Sequence, residues 1–179
     1  MTDYYELLGI PRSLNLSLDT LQQRYYALSR ELHPDRFMQK PEAERQRALD
    51  LSSTLNDAYR TLKVPIKRAQ YLLTLEGFDM GEQRSKDVPP ELLEEVFELN
   101  MALEEMRSGD DSARSQLADA ETNFTRLLSE ADQELDNLFR QYDESSSRDT
   151  LGKIRGALNR HKYIQNLVDE VHRELAPSA

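Results

Sequence analysis

A chain of 179 residues, 38% hydrophobic and 31% charged, has room for one domain or two small ones, and the lack of any cysteine excludes disulfide frameworks, thiolate metal sites and cysteine nucleophiles together. The formal net charge of −10 is unevenly spread: residues 1–75 hold 11 Lys and Arg against 9 Asp and Glu, whereas residues 76–179 hold 12 against 24. An acidic second half repels phosphate surfaces, so neither nucleic acid nor an anionic membrane is expected as a partner.

Apolar residues recur three and four apart over long stretches that contain only six glycines, which predicts an all-α chain with no strand. No run approaches the roughly 18 apolar residues of a membrane span, and ordered sequence is expected to begin at once at Asp3-Tyr4-Tyr5, without a targeting segment. A cytoplasmic location of bacterial type is therefore the expectation. The first helix is short, about Asp3–Leu8, with Asp3 as a candidate cap and Gly9-Ile10-Pro11 as its end. A second runs from about Leu18 to Leu32, with Leu21, Tyr25, Leu28 and Leu32 on one face and Ser17 or Asp19 to cap it; Pro34 stops it. The third follows Pro41, with Glu42 and Glu44 placed where a helix N-terminus favours negative charge, and Ala48, Leu51, Leu55, Ala58 or Tyr59, and Leu62 as its apolar stripe. A fourth, Ile66–Leu75, leads into residues 77–89, whose Gly77, Gly81 and Val88-Pro89-Pro90 read as a linker.

Three further helices are expected at about 90–106, 111–142 and 147–175, broken at Ser108-Gly109-Asp110 and Ser145-Ser146-Ser147. Connections this short bring successive helices back antiparallel, so residues 90–179 read as an up-down-up bundle. The expected organisation is an N-terminal helical-hairpin domain over 1–76, the linker, and the three-helix bundle, arranged in an L.

His33-Pro34-Asp35 lies between two antiparallel helices, after Arg24 and Arg30 and before Arg36. Three readings are open from these residues. Pro34 and Asp35 can simply make a turn. A metal or acid–base centre is poorly supplied, because His161 and His172 lie in the distant bundle and no second carboxylate stands at ligand spacing from Asp35. A protein-docking corner is the third reading, with Asp35 accepting a charge-assisted hydrogen bond from a partner's arginine.

The flanks favour the third. Asp3-Tyr4-Tyr5-Glu6-Leu7-Leu8-Gly9-Ile10, an amphipathic helix ending in the tripeptide, and Leu55-Asn56-Asp57-Ala58-Tyr59-Arg60-Thr61-Leu62 together resemble a J domain of the DnaJ type over residues 1 to about 70. The resemblance implies a co-chaperone whose His33, Pro34 and Asp35, with Arg24 and Arg30, dock on the ATP-bound form of a DnaK-type chaperone and stimulate an ATP hydrolysis that belongs to the partner. Tyr26, Ala27 and Glu31 stand where DnaJ-like proteins often carry cations or polar residues, which is compatible with a dedicated partner. The Gly/Phe-rich stretch and Cys-pair zinc module of general DnaJ proteins are not found in this sequence. Instead, Arg68-Ala69-Gln70-Tyr71-Leu72-Leu73, Leu75, Gly77-Phe78-Asp79 and the acidic bundle are similar to the HscB family of iron–sulfur assembly co-chaperones. That similarity implies delivery of an IscU-type scaffold to the specialised chaperone HscA, with no enzymatic activity of the chain's own.

Periodicity isolates a second surface. Leu92, Val96, Leu99, Leu103 and Met106 cluster on one side of their helix, and Leu93, Phe97 and Met101 form a second stripe roughly 140° away, flanked by Glu94, Glu98, Glu104 and Glu105. A bundle helix needs one apolar stripe, so the second either widens the core or packs on the first domain, or is an exposed patch rimmed by carboxylates that fits a protein partner. The family resemblance places scaffold binding on Leu93, Phe97, Glu98 and Glu105, with Tyr163 from the last helix; Met101 stands where the family has a Glu. Tyr163 lies off the Ile154-Leu158-Val168-Val171 stripe. No catalytic residue, metal or cofactor is expected, and with no Cys the chain is not expected to hold a cluster itself. The alternatives are a J-domain co-chaperone with a different client, or a non-chaperone assembly protein that uses the fold for packing alone.

Overall fold

The computed structural model describes residues 2–79 and 88–176. Among them all regular structure is helical, as expected. The α-helices are α1 (Tyr4–Leu8), α2 (Leu18–Glu31), α3 (Glu42–Leu62), α4 (Pro65–Leu75), α5 (Leu93–Arg107), α6 (Arg114–Ser145) and α7 (Arg148–Leu175), with short 3-10 turns at Pro34–Phe37, Pro90–Leu92 and Asp111–Ala113. Most of the expected 77–89 linker lies outside the described residues. The chain divides into two compact units, residues 1–80 with 139–147, and residues 81–138 with 148–179.

In the first unit the ends of the helices follow from local chemistry. The Asp3 carboxylate accepts the Tyr5 N–H at 2.9 Å and starts α1, and Gly9, at φ 62°, ends it in the left-handed region that glycine adopts without a Cβ clash. Arg12 clamps the same carboxylate through Nε (3.0 Å) and Nη2 (2.6 Å) and reaches Glu76 at 3.3 Å. Ser17 caps α2 by accepting the Thr20 N–H. Pro34 forces His33 into extended geometry (φ −60°, ψ 133°), so α2 stops and the chain turns. Pro65 occupies the first turn of α4, where its missing N–H is no loss.

The core of this unit contains Tyr5, Leu8, Leu14, Leu21, Leu55, Leu62, Leu72 and Leu73, each essentially inaccessible to solvent. Each such leucine contributes about 1.5–3 kcal/mol by leaving water. Stacked rings tie distant segments: Tyr4 lies 4.4 Å from Tyr71, whose hydroxyl accepts the Tyr4 N–H, and Tyr25 lies 4.3 Å from Tyr59 while donating to Asn56. Arg68 is 4% exposed and donates to the carbonyls of Leu62 and Leu14. Burial pushes its guanidinium below the usual arginine range, opposed by Tyr5 and Asp143. Asp143 receives three donors from one loop: Ser13 Oγ at 2.7 Å and the N–H groups of Leu14 and Asn15 at 2.8 Å.

One expectation for α3 fails. Leu51, assigned to the apolar stripe, is 41% exposed, and along residues 42–54 only Ala48 is buried. Its direction is that of the stripe, but near its N-terminus α3 has little packed against it. Periodicity gives the direction of a side chain and is silent on whether a neighbour stands there.

The second unit packs α5, the first part of α6, and α7 around Leu92, Val96, Leu99, Leu103, Leu117, Phe124, Ala131, Ile164, Val168 and Val171. Cross-helix ion pairs join α7 to its neighbours: Arg160 with Glu91 (3.3 Å) and Glu134 (3.5 Å), and Arg107 with Glu174 (3.0 Å) and Glu170 (3.7 Å). His161 Nε2 meets Asp132 at 2.8 Å. Among the described residues, no helix is long and apolar enough to cross a membrane, and no buried side-chain nitrogen or oxygen lacks a partner.

Candidate protein-docking sites

The His33-Pro34-Asp35 corner stands out from the first unit. His33 and Asp35 keep 59% and 78% of their side-chain surface in solvent, and none of the three residues is buried. The ring of His33 caps the 3-10 turn: Nδ1 accepts the Asp35 N–H at 3.4 Å and lies 3.5 Å from the Asp35 carboxylate. An accepting Nδ1 puts the proton of the neutral ring on Nε2. The carboxylate of Asp35, so exposed, can take a forked pair of hydrogen bonds from an arginine outside the chain.

The two arginines expected beside the corner differ in their surroundings. Arg24 bonds the Leu8 carbonyl through Nε at 2.8 Å, and its guanidinium lies against Gly9. It therefore closes the end of α1 as well as presenting charge. Arg30 is exposed and lines a shallow groove of about 490 Å³ with Gln23, Tyr26, Ser29 and His33. Tyr26, 54% exposed, is thus part of the surface that leads to the corner. In the sequence Tyr26 stands out only as a residue where DnaJ-like proteins often carry a cation or polar residue; its 26, 29–30, 33 spacing is the available signal.

On α5 the two stripes separate as periodicity implies. Leu92, Val96, Leu99 and Leu103 are buried, while Leu93, Phe97 and Met101 are 55%, 66% and 48% exposed. Glu98 is exposed and Glu105 half-buried. Tyr163 is also half-buried and leans on the bundle core, and this burial, with Glu170 nearby, raises its hydroxyl pKa. The open apolar surface is thus centred on α5. Among the described residues no group of three or more His, Asp or Glu side chains is placed to hold a metal ion.

A helical hairpin with an exposed His-Pro-Asp corner, followed by a helical bundle with an exposed apolar stripe, defines a J-domain protein with a second helical module. The DnaJ domain family matches residues 3–71, and the family described as the HSCB C-terminal oligomerisation domain matches residues 88–172. The chain belongs to the HscB-type J-domain co-chaperones. Solved structures agree: chaperone HscB from Vibrio cholerae is 29% identical at a TM-score of 0.64, covering 96% of each chain. The human co-chaperone protein HscB is 27% identical at a TM-score of 0.71, covering 99% of this chain and 84% of that one.

Proposed function

We propose that this chain is an adaptor that binds an IscU-type iron–sulfur scaffold through its bundle, delivers it to an HscA-like DnaK-type chaperone through its J domain, and stimulates that chaperone's ATPase. The observation that carries this reading is the presence, on two units of one chain, of an exposed His33-Pro34-Asp35 corner and an exposed Leu93-Phe97-Met101 stripe. The corner, with Arg24 and Arg30, meets the chaperone; the stripe, with Glu98, Glu105 and Tyr163, meets the scaffold. The chain turns over no substrate and holds no cofactor, since hydrolysis belongs to the chaperone. It works in the cytoplasm.

Simultaneous engagement of the two surfaces brings the client to the chaperone at the moment hydrolysis is triggered, which traps the client there. Replacing Asp35 with Asn removes the charge and leaves the shape. The expected outcome is loss of ATPase stimulation with scaffold affinity unchanged, read from steady-state phosphate release and a separate binding titration. Undiminished stimulation would overturn the docking role of the corner. A J-domain co-chaperone with a different client is the second reading, favoured by Met101, which makes the α5 surface more apolar at a position where the family has a Glu. It predicts that an IscU-type scaffold binds no better than an unrelated acidic or neutral protein.

A further inference from the structure

Beside the exposed stripe, α5 and the first turns of α6 enclose an open groove of about 540 Å³. Phe97 and Met101 line it together with Glu95 and Glu98 from α5 and Asp119 from α6. The charges here contrast with those toward α7. On that flank Glu91 and Arg107 are neutralised across the helices by Arg160, Glu170 and Glu174. No lysine or arginine is among the lining residues, and among the described residues none of the three carboxylates has an ion pair or a side-chain hydrogen bond. Arg126, which bonds the lining residue Asn123 at 2.8 Å, pairs with Glu130. Three carboxylates beside two exposed apolar side chains make a site that lacks only its counter-charge.

We infer that the client surface extends off α5 across this groove onto α6, and that its occupant is a lysine or arginine of the client protein. The aliphatic stem of such a side chain lies along Phe97 and Met101, and its charged head meets Asp119 and Glu98. Gln116, which also lines the groove, supplies a neutral acceptor for a remaining N–H group. This extension adds Asp119 to the contact set and rests on the client-docking reading above.

The test is a fluorescence-anisotropy titration of a labelled IscU-type scaffold with the full-length chain and its variants. Asp119→Lys is expected to weaken binding about tenfold and Asp119→Asn about threefold, each with unchanged helical circular dichroism, and Asp119→Lys to reduce the salt dependence of the affinity. Asp136→Lys, an equal charge change on α6 outside the groove, is expected to leave affinity unchanged. Equal weakening by Asp119→Lys and Asp136→Lys would overturn the inference in favour of diffuse steering. Weakening by Phe97→Ala with none by Asp119→Lys would also overturn it while leaving the α5 reading standing. No effect from either would remove both.

Discussion

Arg68 carries a permanent charge into a site 4% exposed and spends two of its donors on the backbone carbonyls of Leu62 and Leu14. Methionine is about as long but has no donor, so Arg68→Met leaves two carbonyls unsatisfied and is expected to lower stability by about 2–5 kcal/mol, measured by urea unfolding. Lysine is expected to recover little, because a single ammonium cannot reproduce the forked geometry. The buried tyrosines give a pH signature. Burial is the main cause that raises the hydroxyl pKa values of Tyr5 and Tyr71 above the ordinary 10.0. A raised folded-state pKa contributes stability that is fully present below pH 10 and is lost as pH rises beyond it. The unfolding midpoint is therefore expected to fall between pH 10 and about pH 11 more steeply in the wild type than in Tyr5→Phe. Neither role was legible in the sequence. In the sequence Arg68 is marked only by its resemblance to a family pattern, and nothing in residue spacing announces that a guanidinium will be enclosed by carbonyls that lie 54 and 6 positions away.

For the helices, the sequence was a good guide to ends and directions and a poor one to neighbours. Asp3, Ser17, Pro34, Pro41 and Pro65 mark boundaries because capping and proline chemistry act within a few residues, where sequence and space coincide. Gly9 illustrates the same locality with a tertiary addition: its φ of 62° disfavours any side chain, and a Cβ there would also overlap the Arg24 guanidinium. Gly9→Ala is expected to cost about 1–2 kcal/mol and to displace Arg24 from the Leu8 carbonyl, lowering the thermal midpoint. On α5 the two-stripe pattern is readable in the sequence, but whether the second stripe is covered is not; the structure leaves Leu93, Phe97 and Met101 exposed. Leu51 on α3 shows the limit, since its helical direction is right and yet it stays in solvent. The α6 wall of the groove escaped notice for a related reason: Gln116, Asp119 and Asn123 are ordinary surface residues until α5 is laid beside them. On the α5 stripe itself, Leu93→Ala and Phe97→Ala are expected to weaken scaffold binding by about 1–2 kcal/mol each without loss of thermal stability.

Across the whole chain, the acidic excess noted at the outset lies in residues 76–179, whereas the first 75 residues are close to neutral. The division into units is less simple than the division of charge, because the first unit takes in residues 139–147. Phe139 and Tyr142 are buried, and Asp143 fastens the Ser13–Asn15 loop. Asp143→Ala is expected to speed hydrogen exchange at the Leu14 and Asn15 amides several-fold while leaving amides of α5 unchanged. The sequence did not announce this, for the spacing within α6 marks Tyr142 as apolar and says nothing of the loop near residue 14. It also sets an order of events during synthesis. A ribosome that has released residue 80 has not yet made the segment that holds this loop, and at roughly 5–20 residues per second several seconds pass before it does. The first unit thus begins to emerge before the second and is not complete until the end of α6 has been made.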